Sequence, residues 1–277
     1  MQRLVHRVSI TDNLTLTVEE HGIPGPSASI VFLPALGVPL AYYDRLFAAW
    51  SACGRRVVGV ELRGGPKSPV QDMRRHGFGY THLINEDLPA VFASSALASS
   101  DRVVLSGHSL GGQLALLAAG ADVVRPDALI TLASGSSSTT RPTRLARARR
   151  RVAIHVVDAV TRSLGYWPGD RLGFAGRQPR TLMADWAHEA RYGRYHLQGD
   201  QTDYEAALRT LTIPTLLIDI AGDRMNPSVS VDQLAARLPG HADRIRIDTY
   251  PDHFLWARRD PEKTIDPIES WLMSHDL

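Results

Sequence analysis

Gly107-His108-Ser109-Leu110-Gly111-Gly112 is the stretch that decides how this chain folds. A short apolar run, Arg102–Ser106, leads into it and a helical pattern, Leu110–Ala119, leads out. The pattern is G-x-S-x-G set between a strand and a helix. A turn that tight strains the backbone at the serine and brings neighbouring chain close. Side chains at Gly107 and Gly111 are therefore expected to clash. The turn puts the Ser109 hydroxyl at the end of a strand, beside the positive end of a helix.

Further strands are read on both sides of this turn. Leu4–Ser9 and Leu14–Glu20, separated by Thr11-Asp12-Asn13, read as an opening hairpin. Ser29–Leu33, Arg56–Val60, Ala128–Ala133 and Thr215–Ile220 are short continuous apolar runs, as in the buried strands of a parallel sheet. Arg244–Thr249 alternates more and reads as an edge strand. Helical patterns lie between and after them at Tyr42–Ser51, Ile84–Ser95, Val229–Leu238 and Pro267–Met273. This alternation points to an α/β fold, a mostly parallel sheet with helices on both faces.

The alternation breaks between Gly135 and Leu211, where no convincing strand is found. Leu145, Val152, Val156, Val160 and Leu164 recur on one face of a long helix. Helical sequence returns at Arg180–Tyr192 and Asp203–Thr210. Residues 135–211 are expected to form a helical cap inserted into a core made of 1–134 and 212–277. Ser134–Thr140, rich in serine, marks the loop leading into it.

Composition sets outer limits. The 277 residues suffice for a sizeable core without a disulfide or metal staple. Hydrophobic residues at 44% and charged residues at 22% describe a globular chain rather than a disordered one. A net charge of +2 gives no sign of a nucleic-acid partner. With Cys53 alone, neither an intrachain disulfide nor a cysteine-based zinc site is available. Residues 1–20 show no apolar signal region, and no stretch approaches the roughly 20 apolar residues of a membrane span. The expected location is the cytoplasm.

A serine hydroxyl needs a base, and the base needs an orienting carboxylate. For a serine on such a turn, the acid and then the histidine follow in chain order. The run ending at Ile220 is followed by Ala221-Gly222-Asp223-Arg224-Met225-Asn226-Pro227, which offers Asp223 just past a strand. Asp219 is the rival, but it falls inside the strand. Tyr250-Pro251-Asp252-His253-Phe254 follows the last strand and offers His253; His241 precedes that strand and His275 is in the tail. Two backbone N–H groups are needed for an oxyanion. Leu110 is expected to supply one, and the loop Pro34-Ala35-Leu36-Gly37-Val38-Pro39 the other, with Leu36 preferred over Ala35.

These segments, with Glu61-Leu62-Arg63-Gly64, resemble the α/β-hydrolase superfamily over the whole length apart from the cap. Leu33–Pro39 and Gly165–Tyr195 further resemble a bacterial group of α/β hydrolases without an assigned substrate. The resemblance implies an eight-stranded sheet, a Ser109–His253–Asp223 triad and a cap over the pocket. Many relatives carry His-Gly where this chain has Pro34-Ala35, and Asp-x-Arg-Gly-His-Gly-x-Ser where it has Glu61–Ser68; neither departure removes a catalytic side chain. Epoxide hydrolases and haloalkane dehalogenases also resemble this chain, but they carry an aspartate at the nucleophile position.

The implied chemistry is hydrolysis of a carboxylic ester or thioester of a small acyl substrate. Acyl transfer, lactonisation or C–C cleavage on the same acyl-enzyme is an alternative, as is a binding protein without turnover. No metal or other cofactor is implied: there is no H-E-x-x-H, and Gly64-Gly65-Pro66-Lys67-Ser68 is wrongly spaced for a phosphate loop. Tyr42, Trp167, Trp186 and Phe254 are candidate substrate contacts; Tyr43, Tyr166, Tyr192 and Tyr195 belong to the same aromatic set, which either lines a pocket or packs cap on core. Arg141, Arg144, Arg147, Arg149, Arg150 and Arg151 are either a docking patch for coenzyme A or an acyl-carrier protein, or a solvated helix face.

Overall fold

The computed structural model describes residues 3–70, 72–138, 143–240 and 242–277. The strands run in chain order β1 (Arg3–Thr11), β2 (Leu14–His21), β3 (Ser29–Leu33), β4 (Val57–Val60), β5 (Val103–His108) and β6 (Ala128–Leu132). After an insertion that holds the short β7 (Tyr166–Pro168) and β8 (Arg177–Pro179), β9 (Thr215–Ile220) and β10 (Asp243–Ile247) complete the set. Eight of them form one sheet in the order β1-β2-β4-β3-β5-β6-β9-β10. The opening hairpin is antiparallel and β2 pairs antiparallel with β4; every pair from β4 to β10 is parallel.

The sequence explains which strands lie inside. All residues of β3, β4, β6 and β9 are buried. Alternate side chains feed opposite faces, as the pleat requires. Val31, Leu33, Val58, Leu105, Leu129 and Leu217 enter one core layer, while Ile30, Phe32, Val57, Val104, Ile130 and Ile218 enter the other. β10 is largely exposed, in keeping with its place at an edge.

The helices are α1 (Asp44–Ala52), α2 (Tyr80–His82), α3 (Leu88–Phe92), α4 (Leu110–Gly120), α5 (Arg144–Leu164), α6 (Gly169–Leu172), α7 (Arg180–Tyr192), α8 (Tyr204–Arg209), α9 (Ser228–Ala235) and α10 (Glu262–Ser274). A π-helical turn, Leu83–Asp87, joins α2 to α3, so the expected helix at Ile84–Ser95 starts and stops earlier and is not uniform. α10 begins five residues before the expected Pro267, which sits inside it.

Strand order fixes where a site can form. The chain leaves β3 for β4 on one side, and leaves β5 for β6 on the other, while β3 and β5 are themselves neighbours. The loops after them diverge and open a crevice at the carboxyl ends of the strands. Leu36 follows β3 and Ser109 follows β5, so both stand at this crevice.

The insertion departs from expectation in two ways. It is not purely helical: β7 and β8 pair as a small antiparallel ribbon, Trp167 opposite Gln178. Each strand has only three residues, too few for alternation to show in sequence. The long helix is present as α5, but of its expected buried stripe only Val160 packs partly against the core, and the rest faces outward. Leu145, Val152, Val156 and Leu164 are exposed, whereas Ile154, Val157 and Thr161 are buried. Ile154 lies two residues from both Val152 and Val156, about 200° round the helix. The sequence carries apolar residues on two opposite sides, and packing against α7 selects the other one.

Candidate active site

Ser109 joins β5 to α4 with φ 53° and ψ −112°, a left-handed conformation that costs a side-chain-bearing residue on the order of 1–3 kcal/mol. The flanking glycines make the turn possible. A Cβ on Gly107 would lie 2.2 Å from the Gly111 carbonyl carbon, and one on Gly111 would lie 2.2 Å from the Leu33 oxygen. The turn is pinned from β6, where Leu132 O accepts from Ser109 N at 2.9 Å.

Asp223 and His253 meet beside this turn. His253 Nδ1 lies 2.5 Å from Asp223 Oδ2, and both residues are almost wholly buried. The other Asp223 oxygen accepts from Met225 N at 2.7 Å and Asn226 N at 2.9 Å. A turn that satisfies both oxygens holds the carboxylate in one orientation. The approach of the two loops depends on Gly222, whose missing Cβ would lie 2.3 Å from Tyr250 O. Asp219 is committed elsewhere: inside β9, it receives Arg244 Nη2 at 2.6 Å. His275 sits on the α10 cap against Trp271, and His241 lies outside the described residues.

Ser109 Oγ accepts from Asn226 Nδ2 at 3.4 Å, and Asn226 Nδ2 also donates to Ala133 O at 2.9 Å. Among the described residues no hydrogen bond joins Ser109 Oγ to His253, although both line one cavity. Asn226 was not among the expected site residues. Its only sequence signal is its place in the segment that carries Asp223.

The loop after β3 distinguishes its two candidate donors. Ala35 N donates to Tyr43 Oη at 3.0 Å, and Tyr43 Oη lies 2.8 Å from His108 Nδ1. Ala35 N–H is therefore engaged. Leu36 N–H has no hydrogen-bond partner among the described residues. Leu110 opens α4, so its N–H has no intrahelical acceptor. Burial, reinforced by the neighbouring His253, holds the His108 pKa well below the usual histidine range. A neutral His108 can accept the Tyr43 hydroxyl proton, and burial keeps that phenol protonated. His108 also packs against His253, ring centroids 4.6 Å apart, and against the edge of Trp256.

A cavity of about 180 Å³ collects Ser109, His253, Leu36 and Leu110 from the core with Arg150, Phe174 and Trp186 from the insertion. Of the expected substrate contacts, Trp186 and Phe254 line it, and Tyr42 and Trp167 do not. Tyr42 packs on Tyr43 and under Arg258 instead. Trp167 lies behind Phe174 and donates Nε1 to its carbonyl at 2.8 Å. Tyr195 is buried beside Arg237, and Tyr192 is exposed. A second cavity of about 260 Å³ shares Leu36 and Leu110 with the first and continues toward Leu62, Leu83 and Leu182. The arginine run divides: Arg144, Arg149 and Arg151 are exposed, Arg150 reaches the cavity, and Arg141 lies outside the described residues.

The insertion is tied to the core by buried carboxylates on α7. Glu189 Oε1 accepts from Ser136 Oγ at 2.6 Å and Arg237 Nη2 at 2.8 Å, and Oε2 accepts from Ser137 N at 2.7 Å. Asp185 accepts from Tyr80 N and Gln198 N, each at 2.9 Å. Gly37, in the loop after β3, touches the insertion so closely that a Cβ there would lie 2.1 Å from Ala175 O.

One group of potential metal ligands occurs among the described residues, Glu19, His21 and Asp44. It lies where β2 ends and α1 begins, outside the cavity, and Glu19 is already paired with Arg3 and Lys67. No helix among the described residues is long and apolar enough to cross a membrane.

The sequence profile of the Alpha/beta hydrolase family matches residues 30–266. The chain belongs to this family. Solved structures share its fold at low identity. A membrane phospholipase A described as a bacterial virulence factor is 19% identical, with a TM-score of 0.70 over 99% of this chain and 87% of the other. The mouse alpha/beta hydrolase domain-containing protein 10 is 17% identical, with a TM-score of 0.67 over 98% and 99%. A thioesterase domain from the curacin biosynthetic pathway is 13% identical, with a TM-score of 0.63 over 99% and 100%. No curated protein sequence matches the chain.

Proposed function

We propose that this family member is a serine hydrolase that cleaves a carboxylic ester or thioester through an acyl-enzyme on Ser109. The observation that carries the reading is the 2.5 Å Asp223–His253 pair, buried beside a serine on a strained turn in a shared cavity. His253 Nδ1, held by Asp223, leaves Nε2 as the proton acceptor. Rotation of Ser109 from Asn226 toward Nε2 starts the reaction, since such bonds tighten when substrate binds. Ser109 Oγ attacks the carbonyl carbon as His253 takes its proton. The N–H groups of Leu36 and Leu110 hold the oxyanion, each worth on the order of 3 kcal/mol to the transition state. His253 then protonates the leaving alcohol or thiol, and water attacks the acyl-enzyme to release the acid.

Intact mass after treatment with a neutral fluorophosphonate tests the reading. Wild type should gain one adduct, Ser109→Ala none, and His253→Ala should react at least about 100-fold more slowly. No adduct on folded wild type would remove the hydrolase reading and favour ligand binding without turnover. Adding an alcohol during turnover separates hydrolysis from acyl transfer, because a new ester appears only in the second case.

A further inference from the structure

Among the described residues that line the cavity around Ser109, Arg150 is the one arginine or lysine, and it comes from the insertion. Arg150 lies on α5 four residues before Ile154, seven before Val157 and eleven before Thr161, so it shares their inward face. The neighbouring Arg149 and Arg151 point outward. Arg150 therefore separates from the basic run around it and enters the cavity that holds Ser109 and His253.

Its guanidinium is pre-positioned. Nη2 donates to Ser137 O at 3.1 Å, and the group lies over the Trp186 ring, 5.5 Å from the centroid. Ser137 is itself fixed through its N–H by Glu189. Two of the residues that hold Arg150, Ser137 and Trp186, line the same cavity, and among the described residues no acidic side chain does. A guanidinium at a partly apolar wall is a fork for an oxyanion, and a carboxylate accepts it with two parallel hydrogen bonds. Arg150 and Ser109 line the same cavity of about 180 Å³, so an anion on Arg150 sits a few bonds from the scissile carbonyl.

We infer that the substrate is an ester or thioester bearing a carboxylate near its scissile carbonyl, and that Arg150 is the specificity residue that binds it. This rests on the serine-hydrolase reading, because the distance that matters runs from the anion to the carbonyl attacked by Ser109. The outward arginines of α5 then serve no role in choosing this substrate.

The test is protection of Ser109. The labelling rate with a neutral fluorophosphonate is measured against increasing glutarate and, separately, glutaramide, its uncharged isostere. Wild type should be protected by glutarate at concentrations about tenfold or more below those needed for the diamide. Arg150→Met should lose that difference, and Arg150→Lys should keep part of it. Equal protection by acid and amide in wild type, or an undiminished difference in Arg150→Met, would overturn the inference and leave the nucleophile assignment standing. If wild type does not label at all, the nucleophile assignment fails instead. In that event a glutarate-specific rise in melting temperature, lost in Arg150→Met, still reads the anion site, and its absence ends the proposal.

Discussion

At the scale of single residues, Ser109 is held where no L-residue is comfortable, and the strain has a measurable sign. Ser109→Gly should abolish labelling yet raise thermal stability by about 1 kcal/mol, since glycine adopts the observed φ without steric strain and that relief outweighs its larger chain entropy. A melting temperature below wild type would contradict this. Tyr43 makes a second residue-scale case. Its hydroxyl serves both Ala35 N and His108 Nδ1 in a fully buried position. Tyr43→Phe should cost about 1–3 kcal/mol in chemical denaturation and lower kcat more than it raises KM, because the loop bearing Leu36 loses its anchor. Unchanged kcat would dissociate Tyr43 from that loop. The candidate residues that the structure brings together, Ser109, Asp223 and His253, were legible in sequence because each follows a strand at a place the fold makes special. Asn226 and Arg150 were not legible as site members. Asn226 reads as an ordinary turn residue, and Arg150 differs from Arg149 and Arg151 only in the direction α5 gives it.

At the scale of elements, α7 shows how a helix can anchor an insertion with buried charge. Burial pushes the Asp185 pKa up to about 6, against the pull of the two backbone N–H groups it accepts. Between roughly pH 4 and pH 6 the folded chain thus holds a proton that the unfolded chain has released. Folding stability from this group is greatest at the acid end and falls as pH rises through that window, then levels off. Asp185→Asn removes the titration at the expense of one accepted hydrogen bond. Relative to wild type, the variant should gain on the order of 2 kcal/mol between pH 4 and pH 6.5, on top of a constant offset. Parallel stability profiles for the two proteins would refute the assignment. Elements were legible wherever a run was long or largely apolar, as in β3 and β9. The ribbon of β7 and β8 was not, because three residues cannot display a period. The buried side of α5 was not either, because two opposite stripes fit a helix equally well and only contact with α7 decides between them.

At the scale of the molecule, the insertion and the sheet are joined through Glu189, which binds the loop after β6 and the arginine that follows α9. Glu189→Gln leaves the Arg237 guanidinium buried with Glu205 at 3.6 Å as its remaining carboxylate. The expected loss is about 3 kcal/mol, in a single unfolding transition followed equally by tryptophan fluorescence and circular dichroism. Two separate transitions would show that the insertion folds apart from the sheet. Its close fit to the core also reaches the loop bearing Leu36, where Gly37 lies against Ala175 with no room for a methyl group. That contact limits how this enzyme can be rebuilt. An insertion transplanted from another family member would arrive with a different strip of backbone at that point, and the recipient's loop after β3 would shift with it. Residues 34–39 and 173–176 form one graft unit, so a chimera that exchanges one without the other should bind its new substrate and fail to turn it over.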